Sequence, residues 1–180
     1  KAVWFHGENL WWLFRTRDFI PEYDNIYCVS EPVRKQVIAR FPELADRTEV
    51  LLNFIDIKQV QRRSEEPLSD PQYTGELKFL TVGRASEEKG YDIAVQITAE
   101  LKKRGLCFKW FIIGDGRDLN KLRTMAKEYQ VEQEIIFLGM RENPAPYVKS
   151  CDLYLQPSRH EGYPITIVEA RSLQKVIIAS

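Results

Sequence analysis

Cysteine, histidine and net charge are all scarce in this 180-residue sequence. Three cysteines, Cys28, Cys107 and Cys151, stand far apart with no C-x-x-C pair. That argues against a disulfide framework and a cysteine-ligated zinc, and it fits a reducing compartment. The two histidines, His6 and His160, are widely separated and no D-x-D occurs, so the sequence gives little support to a metal site. The 26 lysines and arginines balance 26 aspartates and glutamates, which argues against a chain that coats nucleic acid. No apolar run reaches the ~18 residues that span a bilayer, and no signal peptide opens the chain. A G-x-S-x-G elbow and a P-loop are both missing, so the matching hydrolase and kinase readings lapse. No internal repeat is present.

What remains is ordinary globular composition, 44% apolar and 29% charged, at a length for one domain or one domain plus a piece of another. Strand-like and helix-like segments alternate throughout. Residues 2–5 and 26–29 read as strands, and Ser30 then caps a helix with Glu31 and Pro32 in its first turn. Val33, Val37 and Ile38 give that helix its apolar face, Pro42 ends it, and residues 50–52 read as a short strand. From 56 to 76 the pattern dissolves into charges, Pro67, Pro71 and Gly75, the signature of a linker holding a domain boundary. The expected division is therefore 1–60, a linker at 61–76, and a second domain at 77–180. That second domain carries apolar strands near 77–82, 108–113, 135–138, 153–155 and 176–179, with helices between them. Near-continuous apolar strands alternating with helices predict an α/β fold, a Rossmann-like parallel sheet covered on both faces. A partial α/β domain precedes it. The chain starts at Lys1 and stops just after an apolar strand, so it is expected to be a piece of a longer protein.

In such sheets ligands bind outside the carboxyl ends of the strands, and the unusual residues collect there. After the first strand of the second domain comes Gly83-Arg84-Ala85-Ser86-Glu87-Glu88-Lys89-Gly90, with two cations beside a helix start that suit phosphate oxygens. By itself the segment also reads as a solvated loop with charges of both signs. Gly114-Asp115-Gly116 lacks the third glycine of a dinucleotide fingerprint, since Leu119 stands there. It remains either a close approach to ligand or a tight turn. The densest segment is 157–170, where Glu161 lies in a loop and Pro164 opens a helix. The free N–H groups near Gly162 and Tyr163 make an anion or hydroxyl site. Glu169, among Ile167, Val168 and Ala170, is expected to be part-buried and to need a partner. A neighbouring arginine would satisfy it structurally; paired with Glu161, it would also fit a glycosidase acid and base.

In order along the chain, V-G-R…E-K-G, I-I-G-D-G, F-L-G and D-L-Y-L-x-P-S-R-x-E-G-Y-P-x-x-x-x-E-A resemble the retaining glycosyltransferases of the GT-B fold. This large family includes glycogen synthases, sucrose-phosphate synthases and many bacterial polysaccharide transferases. Its two glutamates with seven residues between them are matched by Glu161 and Glu169. The resemblance covers 77–180 and extends more thinly into 1–56 through Phe5-His6-Gly7, Cys28-Val29-Ser30-Glu31 and Leu52-Asn53-Phe54-Ile55-Asp56. Phe54 departs from it, standing where the family usually has glycine.

The resemblance implies a C-terminal donor domain preceded by part of an acceptor domain. Arg84 and Lys89 would grip the diphosphate of a UDP- or GDP-type sugar, and Glu169 would accept from the ribose hydroxyls. Glu161 and the backbone of Gly162, Tyr163 and Pro164 would hold the sugar and distal phosphate. Gly83, Gly114, Gly116 and Ser158 would line the cleft, and the backbone at Met140 and Arg141 would meet the base. His6 would face the sugar. No cofactor or metal is expected, and the acceptor would be a glycan or lipid-linked. A cytoplasmic enzyme at the inner face of the membrane is implied, with no nucleic-acid partner, and the 180-residue chain alone is expected to transfer no sugar. Two other readings are a non-catalytic nucleotide-sugar binding module and a glycoside hydrolase using Glu161 and Glu169. The segment 9–19, with Trp11, Trp12, Arg15 and Arg17, fits a helix packed on its own domain better than a membrane-surface helix.

Overall fold

In the computed structural model, which describes residues 1–6 and 19–180, the chain divides into two units. One is Lys1–Phe54 with His160–Ile165, the other Ile55–Arg159 with Thr166–Ser180. The segment 9–18 lies outside the described residues. No helix among the described residues is long and apolar enough to cross a membrane.

The first unit is a parallel sheet of β1 (Ala2–Phe5), β2 (Asn25–Cys28) and β3 (Thr48–Val50) in that order. Helix α1 (Glu31–Arg40) begins where Ser30 Oγ accepts from the Val33 N–H, with Glu31 and Pro32 in the first turn as expected. Val33 and Val37 bury into a core with Phe5, Ile26, Cys28 and Leu44. Strand β3 starts two residues earlier than the apolar run 50–52 indicates. Buried Thr48 donates its hydroxyl to the Leu44 carbonyl at 2.7 Å and fixes the start, leaving Leu51 and Leu52 exposed.

The second unit begins with a helix where the sequence pattern pointed to a linker. Helix α2 (Ile57–Ser64) is capped by Asp56, whose Oδ1 accepts from the Gln59 N–H at 3.0 Å. Polar contacts hold it: Arg63 donates to the Glu142 carbonyl at 2.9 Å, and the Asn143 amide donates to the Arg63 carbonyl at 2.9 Å. Downstream, Asp70 pairs with Arg141 at 2.8 Å and Tyr73 donates to the Tyr147 carbonyl at 2.9 Å.

Five parallel strands follow: β4 (Lys78–Val82), β5 (Lys109–Ile113), β6 (Ile135–Gly139), β7 (Leu153–Gln156) and β8 (Val176–Ala179). Their spatial order is β6-β5-β4-β7-β8. Helices α3 (Tyr91–Lys103) and α4 (Leu119–Glu128) share one core with Phe79, Trp110, Ile112 and Ile135. Helices α5 (Ala145–Ser150) and α6 (Ile165–Ser172) supply Tyr147, Val148 and Ala170 to another, with Leu80, Phe111 and Tyr154. Alternate residues of one strand thus enter opposite cores, which is why the strands read as continuous apolar runs. The strand order reverses between β4 and β7, and at such a switch point a crevice opens beyond the carboxyl ends.

One buried polar chain crosses the sheet centre. Trp110 Nε1 donates to Thr81 Oγ1 at 2.9 Å, and that hydroxyl donates to the Leu155 carbonyl at 2.7 Å. Thr81→Val would leave the indole N–H buried without an acceptor. It is expected to cost about 1–3 kcal/mol in chemical denaturation; an unchanged midpoint would show that the chain carries no stability.

Candidate functional site

The loops at the carboxyl ends are fastened to one another by main chain. The Gly83 N–H donates to the Ile113 carbonyl at 2.9 Å, Ala85 to Asp115 at 3.0 Å, and Gly114 to Gly139 at 2.9 Å. Two of the expected site glycines serve this closure. A Cβ on Gly114, at φ 139°, would stand 1.8 Å from the Gly83 carbonyl oxygen, and one on Gly116 would stand 2.3 Å from that of Ala85. The space that a side chain would fill is taken by the backbone of the neighbouring loop, which is what requires glycine at both positions.

Arg84 stands two residues beyond the end of β4 and is exposed. Among the described residues its side chain makes no hydrogen bond or ion pair. The Lys89 stem folds back over the same strand end, its Cε 3.6 Å from where a Cβ on Gly83 would stand. Gly83, Arg84 and Lys89 are therefore brought together at the switch point. Opposite them Ser158 is buried, with its hydroxyl accepting from the Gln156 amide at 2.9 Å and its carbonyl accepting from Ser180 Oγ at 3.0 Å. This places Ser158 in the packing of the β7 end.

After β6, Met140 is exposed, and the N–H groups of Met140 and Arg141 donate to nothing among the described residues. The Arg141 side chain is committed elsewhere: to Asp70, to the Tyr147 hydroxyl at 3.1 Å, and to the Leu138 and Met140 carbonyls. Burial works to raise the Asp70 carboxyl, but the hydrogen bonds from Arg141, Gln72 and Tyr147 win and hold it below the usual range. Arg141 thus offers a ligand its main chain only. Asn143 acts as a local cap, its side-chain oxygen accepting from the Ala145 N–H at 3.2 Å at the start of α5.

Glu169 is half-buried on α6 beside a crevice of about 90 Å³ that also meets Gln59, Arg63, Asn143 and Pro144. The neighbouring arginine anticipated as its partner is Arg63, which acts through its charge alone. The Glu169 carboxylate takes no hydrogen bond and no ion pair among the described residues. Burial raises its pKa, and Arg63 offsets this only in part. A carboxyl with a raised folded pKa binds its proton more tightly folded than unfolded, so ionising it costs stability as pH rises from the unfolded value through the folded one. Glu169→Gln is therefore expected to raise Tm at pH 7, the gain vanishing below pH ~4 where both states are protonated. A lower Tm at pH 7 would instead show a carboxylate stabilised by its surroundings.

His6 follows β1 in the first unit, exposed, with its ring 4.8 Å from that of Trp4. Glu161, Gly162, Tyr163 and Pro164 also group with that unit, all half-buried, and Tyr163 packs on its core. Pro164 immediately precedes α6, whose first residue is Ile165. The fold joins Asp92 to Arg159, a residue of the P-S-R-x-E-G motif without an assigned role, across 67 positions of chain. Arg159 donates to both Asp92 oxygens, at 2.7 and 2.6 Å.

A five-stranded parallel sheet with helices on both faces is a Rossmann-like α/β domain, and solved GT-B glycosyltransferases share this fold. HepE of Anabaena matches over 99% of this chain and 52% of its own, with TM-score 0.81 and 18% identity. TarM of S. aureus matches over 99% and 36%, with TM-score 0.79 and 17% identity. The chain belongs to the glycosyl transferases group 1, whose family model matches residues 63–180. An uncharacterized glycosyltransferase of Methanocaldococcus jannaschii is 29% identical over 88% of this chain and 40% of its own length. The putative colanic acid biosynthesis glycosyltransferase WcaL of Escherichia coli is 24% identical over 99% and 46%. The chain thus spans less than half the length of these two relatives.

Proposed function

We propose that the whole protein transfers a sugar from a UDP- or GDP-type nucleotide sugar to a glycan or lipid-linked acceptor, with retention of anomeric configuration. The observation that carries this reading is Arg84 at the switch point, a cation whose side chain makes no hydrogen bond or ion pair among the described residues, with the Lys89 stem beside it. As the glycosidic bond breaks, the nucleoside diphosphate gains negative charge, and fixed cations aimed at that charge stabilise the transition state. Arg84 and Lys89 do this in place of a metal, and the transfer needs no cofactor. Glu169 accepts from ribose hydroxyls, which satisfies a half-buried carboxylate that takes no hydrogen bond among the described residues. The N–H groups of Met140 and Arg141 meet the base. Glu161, with the backbone of Gly162, Tyr163 and Pro164, holds the sugar and distal phosphate, and His6 serves the sugar side. HepE was crystallised with UDP and glucose, which supports a donor of this class. The enzyme works in the cytoplasm at the inner membrane face, where lipid-linked acceptors lie, and the 180-residue chain alone transfers no sugar.

The test is incubation of the full-length protein with a panel of UDP- and GDP-sugars and lipid-linked glycans, reading product anomers by NMR. The expected product keeps the donor's configuration, at a rate unchanged by EDTA. An inverted product, or activity lost in EDTA and restored by magnesium, would overturn the reading.

A further inference from the structure

The loop that carries Arg84 and Lys89 has no regular structure beyond one short turn at Glu87–Lys89. A cation on such a loop stabilises charge only if something holds it in place. Four contacts from the β7 loop do this. The Arg159 N–H donates to the Glu88 carbonyl at 2.7 Å. Its guanidinium donates to the Glu87 carbonyl at 3.0 Å and grips the Asp92 carboxylate through both terminal nitrogens. Gly90, at φ 63°, seats its α-carbon against the Pro157 carbonyl, where a Cβ would stand 1.8 Å from the oxygen. Residues 87, 88, 90 and 92 are thus tied to 157 and 159, and Lys89 is bracketed on both sides. The hydrogen bond from Arg159 is the leading reason that the Asp92 carboxyl sits below the usual range, so the pair is ionised near neutrality.

We infer that Arg159 and Asp92 are positioning residues for the diphosphate-binding loop, acting on the donor through Lys89 rather than by touching it. The inference rests on the nucleotide-sugar reading above. Arg159 spends both terminal nitrogens on protein acceptors, whereas Arg84 spends none of its side-chain nitrogens among the described residues. The planar fork matters because a lysine cannot span two carboxylate oxygens and a carbonyl at once.

The readout is the diphosphate increment, the ratio of Kd for uridine to Kd for UDP, or of guanosine to GDP, by calorimetry on the full-length protein. A general loss of packing would weaken nucleoside and nucleotide alike and leave this ratio unchanged. Arg159→Met and Asp92→Asn are each expected to shrink the ratio about tenfold, the loss of about one charge-assisted hydrogen bond to the diphosphate. Nucleoside affinity should hold. The double variant should lose no more than the worse single one, because the two side chains act as one unit. Arg159→Lys should keep the charge and still fail. Asp92→Asn is isosteric and keeps the test decisive if Arg159→Met does not fold. Ratios equal to wild type in the folded variants would overturn the inference, as would full rescue by Arg159→Lys or additive losses. A wild-type protein that binds neither UDP nor GDP would overturn the functional reading, and this inference with it.

Discussion

Arg84→Ala is expected to lower kcat of the full-length enzyme by ~10²–10³, the usual loss when one preorganised donor to a developing anion is removed. The prediction is sharp because the same substitution should leave the unliganded fold alone. The Arg84 side chain is exposed and makes no hydrogen bond or ion pair among the described residues. Substitutions of that kind usually change stability by less than about 0.5 kcal/mol. Thermal melts of the variant should therefore match wild type without nucleotide and lose the UDP- or GDP-induced shift. A variant with normal kcat, or one that melts early without ligand, would show that Arg84 serves the fold and not the diphosphate.

Gly90→Ala should damage both fold and binding. An L-residue at φ 63° costs roughly 1–2 kcal/mol, and the added methyl would lie 1.8 Å from main-chain oxygen that no side-chain motion can clear. The β4 and β7 loops must then separate, carrying Lys89 with them. At roughly 2–4 °C per kcal/mol for a chain of this size, Tm should fall by at least about 4 °C, with nucleotide affinity falling too. Gly105→Ala provides the comparison. It has a similar φ of 77° but no atom within 4 Å of the new Cβ, so it should show backbone strain alone and bind nucleotide normally. Equal effects from the two substitutions would remove the close approach as the cause.

Much of the fold was legible because the inner strands β4, β5 and β7 of the second unit are buried on both faces. Phe79, Trp110 and Ile112 serve one core while Leu80 and Phe111 serve the other, so the runs stand out from the helices between them. Helix α2 was not legible. Ile57 and Val60 are its only aliphatic residues, and its hold on Glu142 and Asn143 depends on residues about 80 positions away. The site divides the same way. Gly83, Arg84 and Lys89 announce themselves by type and by place after a strand. Asp92 and Arg159 are unremarkable charges until the strand order sets β4 beside β7. Gly114 and Gly116 show the converse: the need for glycine was readable, but whether ligand or neighbouring backbone demands it was not.

The proposed crevice beyond β4 and β7 binds a nucleoside diphosphate through Arg84 and Lys89. The most direct measurement is titration calorimetry of the protein with UDP and GDP, each against its nucleoside, at low and high salt. One diphosphate should bind more tightly than its nucleoside, by a margin that shrinks with salt and disappears in Arg84→Ala. Binding of neither diphosphate, or a margin untouched by Arg84→Ala, would contradict the account.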